Sequence, residues 1–117
     1  MRLTEVTYDN AAPVDGYGPG FFRIAGDVVQ GHILLLPNQT LAWGGTDDHE
    51  TILNAANDID VLFIGTGPEI AHIPDEMRAK LDAAGIGVEL MSTPTACRTY
   101  NVLLSEGRRI GAALLAV

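Results

Sequence analysis

The feature that most narrows what this chain can fold into is the punctuation of residues 61–91. Val61-Leu62-Phe63-Ile64 is an unbroken apolar run, so a strand there has no solvated face. Ile73, Met77, Leu81 and Ala84 then recur at helical spacing, and Pro74 falls where a first helical turn tolerates a missing N–H. Gly85 stops that helix, and Gly87-Val88-Glu89-Leu90-Met91 reads as a second strand. Strand, helix and strand in about thirty residues is the length of a right-handed parallel crossover. The pattern then repeats. Thr93 is expected to cap a helix that starts at Pro94 and runs to about Ser105, Gly107 ends it, and residues 109–115 form a third strand. The expected fold class is α/β, with a partly parallel sheet.

Upstream the signals are shorter. Asp9, Asn10, Pro13, Asp15, Gly16, Gly18, Pro19 and Gly20 crowd residues 8–20, which read as an irregular arm. Phe21–Ile24, a tight turn at 25–27 and a longer strand over Val28–Leu36, bulged at Gly31, read as an N-terminal β-hairpin. Pro37-Asn38-Gln39-Thr40 closes it, and Leu41-Ala42-Trp43 adds a short extended segment. Asp47 followed by Glu50 fits a capping box for a helix running to about Asn57, with Ile52, Ala55, Ala56 and Ile59 on its apolar side. No internal repeat or low-complexity segment interrupts the chain.

The length of 117 residues suits one domain, residues 1–117, and 47% hydrophobic against 19% charged residues provides enough apolar area for a core. A formal net charge of −8 disfavours nucleic acid and anionic membrane surfaces as partners, while a protein partner stays open. One cysteine, Cys97, cannot form an internal disulfide, and the amino-terminal residues show no secretory signal. The apolar runs are too short to cross a bilayer, so no membrane insertion and a cytoplasmic location are expected. Phe21, Phe22 and Trp43 on short elements suggest some exposed apolar surface and a monomer or weak homo-oligomer.

In a parallel sheet, ligands approach the carboxyl ends of the strands. Gly65, Thr66 and Gly67 follow the first parallel strand and Thr93 and Thr95 follow the second. With Arg98 they form a candidate crevice for a small anion or carboxylate. The competing reading gives the glycines a turn and the threonines caps. Gly65-Thr66-Gly67-Pro68-Glu69-Ile70 lacks the last glycine of a dinucleotide fingerprint, and no phosphate loop is present, so no cofactor is expected. His32, His49 and His72 lack metal-site spacing. No catalytic residue or metal ligand is assigned, Cys97 reads as a buried thiol, and Tyr100 as a core residue. Arg98, Asn101 and Ser105 share one helix face, expected to be solvated.

Leu62-Phe63-Ile64-Gly65-Thr66-Gly67, the run Thr95 to Arg108, and the stretch from Gly31 through Trp43-Gly44 together resemble the Mth938-like family, also called DUF498. The positions matching its pattern are Gly65, Thr66, Gly67, Thr99, Tyr100, Asn101, Glu106, Gly107 and Arg108. The resemblance implies a three-layer α/β domain. Through animal relatives that include a mitochondrial complex I assembly factor, it also implies a non-catalytic protein-binding or assembly module. It carries no catalytic residues to this chain, and a small-molecule binder or enzyme using the strand-end crevice is the alternative.

Overall fold

Every side chain of residues 33–36 is buried, although alternate residues of a strand point to opposite faces. That requires a layer on each side of the sheet, and the computed structural model, which describes residues 5–7 and 12–117, supplies both. The chain order is β1 (Glu5–Thr7), β2 (Val14–Gly18), β3 (Phe21–Ile24), β4 (Asp27–Gln30), β5 (Ile33–Leu36), β6 (Gln39–Ala42), α1 (Glu50–Leu53), a 3-10 turn (Ala56–Asp58), β7 (Val61–Gly65), α2 (Asp75–Ala83), β8 (Gly87–Met91), α3 (Thr93–Leu104) and β9 (Ile110–Leu114).

The main sheet is mixed, in the order β1-β6-β5-β9-β7-β8, and β2-β3-β4 form a separate antiparallel sheet. β7 lies parallel to both β8 and β9, with Phe63 opposite Glu89 on one side and Ala112 on the other. The three expected parallel strands are therefore neighbours. On one face of the main sheet Leu34, Leu36, Leu62 and Ile64 meet Ile52, Met77 and Leu81 of the helices α1 and α2. On the other, Ile33, Leu35, Phe63, Ala112 and Leu114 meet Ala96, Cys97 and Tyr100 of α3 and Phe22, Ile24 and Val29 of the small sheet. Each fully buried aliphatic side chain in these two clusters stabilises the fold by roughly 1.5–3 kcal/mol.

The amino-terminal hairpin differs from its expected form. The long strand over 28–36 is two strands, because Gly31 takes a φ of 85° and turns the chain from one sheet into the other. β4 pairs with β3, whereas β5 pairs with β6 and β9. The part of the expected irregular arm that lies within the described residues includes the strand β2, held by β3 and by α3; residues 8–11 lie outside them. Phe22 and Trp43 are buried in the two clusters and Phe21 is partly accessible, so among the described residues the exposed large apolar side chains are instead Tyr17, Val28, Ile70 and Val102.

The helix expected to reach Asn57 closes after one turn at Leu53, and Asp48 rather than Asp47 organises its start. The Asp48 carboxylate accepts from the Thr51 hydroxyl (2.6 Å), the Gly44 amide (2.9 Å) and the Thr51 amide (3.2 Å), while its carbonyl accepts from Trp43 Nε1 (2.9 Å). Partial burial raises the carboxyl pKa, but these hydrogen bonds and the nearby His49 outweigh it and hold the value below the ordinary one. A depressed folded-state value means that ionised Asp48 stabilises the fold above the ordinary carboxylate range, and that this contribution fades as pH falls through the folded-state value. Asp48→Asn should therefore flatten the loss of stability below a pH of about 4, read from urea unfolding of the single tryptophan, Trp43, across a pH series.

Candidate functional site

The carboxyl ends of β7, β8 and β9 lie side by side, and the loops that leave them are tied together by polar contacts. The Thr66 amide donates to the Met91 carbonyl (2.9 Å), and the Leu115 amide donates to the Gly65 carbonyl (2.9 Å). Thr93, fully buried, acts as a rivet. Its amide donates to the Gly67 carbonyl (2.7 Å), and its hydroxyl accepts from the Gly67 amide (2.9 Å) and donates to the Leu115 carbonyl (2.8 Å). The Thr66 hydroxyl accepts from the Ala71 amide (2.9 Å) and points its proton towards the Glu69 and Met91 carbonyls (2.9 and 3.2 Å). Gly65 has to be glycine at this junction, since a Cβ would lie 2.9 Å from Thr93 Cα.

The first turn of α3 forms a second group. Ser92, not Thr93, is the N-cap residue: its hydroxyl accepts from the Thr95 amide (3.4 Å) and donates its proton to Thr95 Oγ1 (3.0 Å). Thr93 is one residue too far along to cap, because its side chain is drawn back between the strand ends. Arg98 Nη2 donates to Thr95 Oγ1 (3.2 Å) and the arginine borders an open hollow of about 270 Å³ shared with Thr99, Val102 and Leu103. The six candidate residues thus fall into two sets. Gly65, Thr66, Gly67 and Thr93 join the strand ends, while Thr95 and Arg98 face outwards from the helix.

Asn101 does something the sequence did not announce. Its side-chain oxygen accepts from the Val14 amide and its side-chain nitrogen donates to the Val14 carbonyl, both at 2.8 Å. The amide thereby takes the place of a neighbouring strand for β2 and ties the small sheet to α3. Arg98, Asn101 and Ser105 accordingly do not act as one solvated face. Asn101→Ala leaves two backbone groups of Val14 without these partners and should lower stability by about 1–3 kcal/mol, measured by chemical unfolding. It should also speed amide exchange in β2 more than in β7.

The reactive side chains elsewhere have structural surroundings. Cys97 is buried, and burial pushes its thiol up to about 11, with Arg98 offsetting only part of the rise. His32 Nδ1 accepts from the Ala116 amide (2.8 Å), and its ring meets Trp43 edge-on at 6.4 Å. His49 Nε2 lies 3.0 Å from the Thr46 carbonyl. Among the described residues no group of three His, Cys, Asp or Glu side chains is placed to hold a metal ion.

Against this geometry, the family model described as a protein of unknown function, DUF498/DUF598, matches residues 14–115. The chain belongs to that family. An uncharacterized protein of Rhodobacter capsulatus is 50% identical, over 98% of this chain and 93% of the relative. NADH dehydrogenase (ubiquinone) 1 alpha subcomplex assembly factor 3 of Mus musculus is 31% identical over 98% of this chain. The chain spans 66% of that mouse protein's length and 59% of its Homo sapiens counterpart's. Among solved structures, an outer membrane protein from Bartonella henselae superposes with a TM-score of 0.84 at 38% identity, covering 94% of this chain and 98% of its own. A Mth938-like domain from Bordetella pertussis superposes with a TM-score of 0.74 at 26% identity, covering 98% and 92%.

The Bartonella structure corrects one expectation. A purely cytoplasmic location does not stand beside so similar a fold described as an outer membrane protein. Among the described residues no helix is long and apolar enough to cross a membrane.

Proposed function

We propose that this chain is a non-catalytic protein-binding module of the assembly-factor kind. The observation that carries the reading is the 31% identity to assembly factor 3 of NADH dehydrogenase across 98% of the chain, which takes in every layer of the fold. The self-bonded strand ends and the buried, weakly acidic Cys97 thiol agree with it, because these groups serve the fold. By this reading the partner is a subunit or intermediate of a respiratory complex. Affinity capture of the tagged chain from its native host, followed by cross-linking and mass spectrometry, should return one reproducible partner joined through defined residues. Recovery of no reproducible partner under mild conditions overturns the reading.

A second reading rests on Arg98, whose guanidinium stands beside an open hollow at the start of α3. On this reading a small carboxylate or phosphate binds weakly near Gly65, Thr66, Gly67, Thr93 and Thr95, held by Arg98 and favoured by the helix dipole against the overall charge of −8. Arg98→Ala should then weaken phosphate or acetate binding about tenfold, the scale of one charge-assisted hydrogen bond, without altering the unfolding midpoint. Amide shifts that avoid both loops in such a titration exclude it.

A further inference from the structure

β8 is the last strand of the main sheet, and the way its backbone is used leaves one side open. The Gly87 amide donates to the Asp60 carbonyl and the Met91 carbonyl accepts from the Thr66 amide, both at 2.9 Å. Residues 87, 89 and 91 therefore turn their N–H and C=O groups towards β7, and by strand alternation Val88 and Leu90 turn theirs outwards. No further strand pairs with that side among the described residues. β1 lies at the opposite edge of the sheet, and Val117 is tied to Gly20 at the small sheet, so neither covers it.

This edge carries few of the devices that normally blunt one. It has no proline and no lysine or arginine, and Glu89 is its single charge. Beside it, Leu90 shares a hollow of about 240 Å³ with Ile70, Ala71 and His72, and Ile70 is 67% exposed. Val88 and Leu90 lie on the α2 face of the sheet, whereas Glu89 points to the other face and enters none of the ion pairs of the described residues.

We infer that the outer edge of β8 docks an extended segment of a partner protein, which adds a strand there with a basic side chain beside Glu89 and apolar side chains beside Val88 and Leu90. The inference rests on the protein-binding reading and gives it a surface. Strand addition supplies main-chain hydrogen bonds to Val88 and Leu90, and the alternation of the added strand places its basic and apolar residues on opposite faces, as the edge requires. Charge selects the occupant. A second copy paired antiparallel through the middle of β8 would set Glu89 directly against Glu89 and bring two chains of charge −8 together. A basic segment meets neither obstacle.

The probe is a blocked heptapeptide of alternating lysine and valine, with a glutamate–valine peptide as its counterpart, titrated at 150 mM salt into the isotopically labelled full chain. The lysine peptide should shift the Val88 and Leu90 amides and slow their exchange tenfold or more, while the glutamate peptide does neither. Val88→Pro removes an outward N–H that β7 does not use and should abolish the effect. Glu89→Lys keeps the edge and should reverse the preference between the two peptides. Absence of binding at millimolar peptide, shifts confined to other surfaces, or an unchanged preference in Glu89→Lys overturns the inference. So does concentration-dependent protection of both amides in the peptide-free protein, which assigns the edge to a second copy. A native partner cross-linked through the Arg98–Val102 hollow instead overturns the edge assignment and leaves the protein-binding reading standing. Failure to capture any native partner defeats that reading separately.

Discussion

Tyr100→Ala should lower the stability of the fold by about 3–5 kcal/mol, the range for emptying a large aromatic from a packed core. Tyr100 is fully buried on α3, in the cluster where that helix, the main sheet and the small sheet converge. Its ring has neighbours on several elements, so the surrounding structure cannot collapse into the space without moving a whole layer. Tyr100→Phe keeps the ring volume and should cost far less. Urea unfolding followed by Trp43 fluorescence tests both, because Trp43 lies in the opposite cluster across the main sheet and reports the cooperative transition rather than the local void. A loss below about 1 kcal/mol for the alanine variant would mean that the small sheet can close onto α3 without this ring.

The ease with which this region reads from the sequence varies with the range of the contacts that decide it. β7, α2, β8 and β9 are legible because each is specified locally: an unbroken apolar run, a helical spacing and a glycine stop fall within a few residues. β2 is not. Val14-Asp15-Gly16-Tyr17-Gly18 has the composition of a turn, and it becomes a strand through β3 and through the Asn101 side chain, 87 residues away. The split at Gly31 is legible as an irregularity but not as a change of sheet, since the partners of β5 lie in β6 and β9. At the candidate site, the proximity of Gly65 to Thr93 follows from the parallel crossover. The choice of Ser92 as the cap depends on where the neighbouring strand ends draw the Thr93 side chain, which no local pattern encodes.

The same junction sets the second large effect. Gly65→Ala should lower stability by about 3 kcal/mol, at the upper end of what forcing one extra methyl into a packed site usually costs. The added Cβ would stand 2.9 Å from both Thr93 Cα and Thr93 Oγ1, and 3.0 Å from Leu114 Cδ2. Side-chain movement can relieve the contact with Leu114, but Thr93 Cα is backbone, and Thr93 is fastened by its bonds to both Gly67 and Leu115. Gly67 provides the contrast within the same loop. A Cβ there meets nothing within 4 Å, so Gly67→Ala carries only the strain of a φ of 107°, roughly 1–2 kcal/mol. Thr93→Ala separates the two sources of the Gly65 clash. It removes Oγ1 but not Cα, and it leaves the Gly67 amide and the Leu115 carbonyl without that partner. The double variant should therefore be somewhat more stable than the sum of the single losses predicts, with a coupling energy of about 0.5–1 kcal/mol. Strict additivity in urea unfolding of the four proteins would show that the backbone contact alone opposes the methyl group. A Gly65→Ala loss no larger than that of Gly67→Ala would show that the strand ends are looser than their hydrogen bonds imply, and that the loops can part.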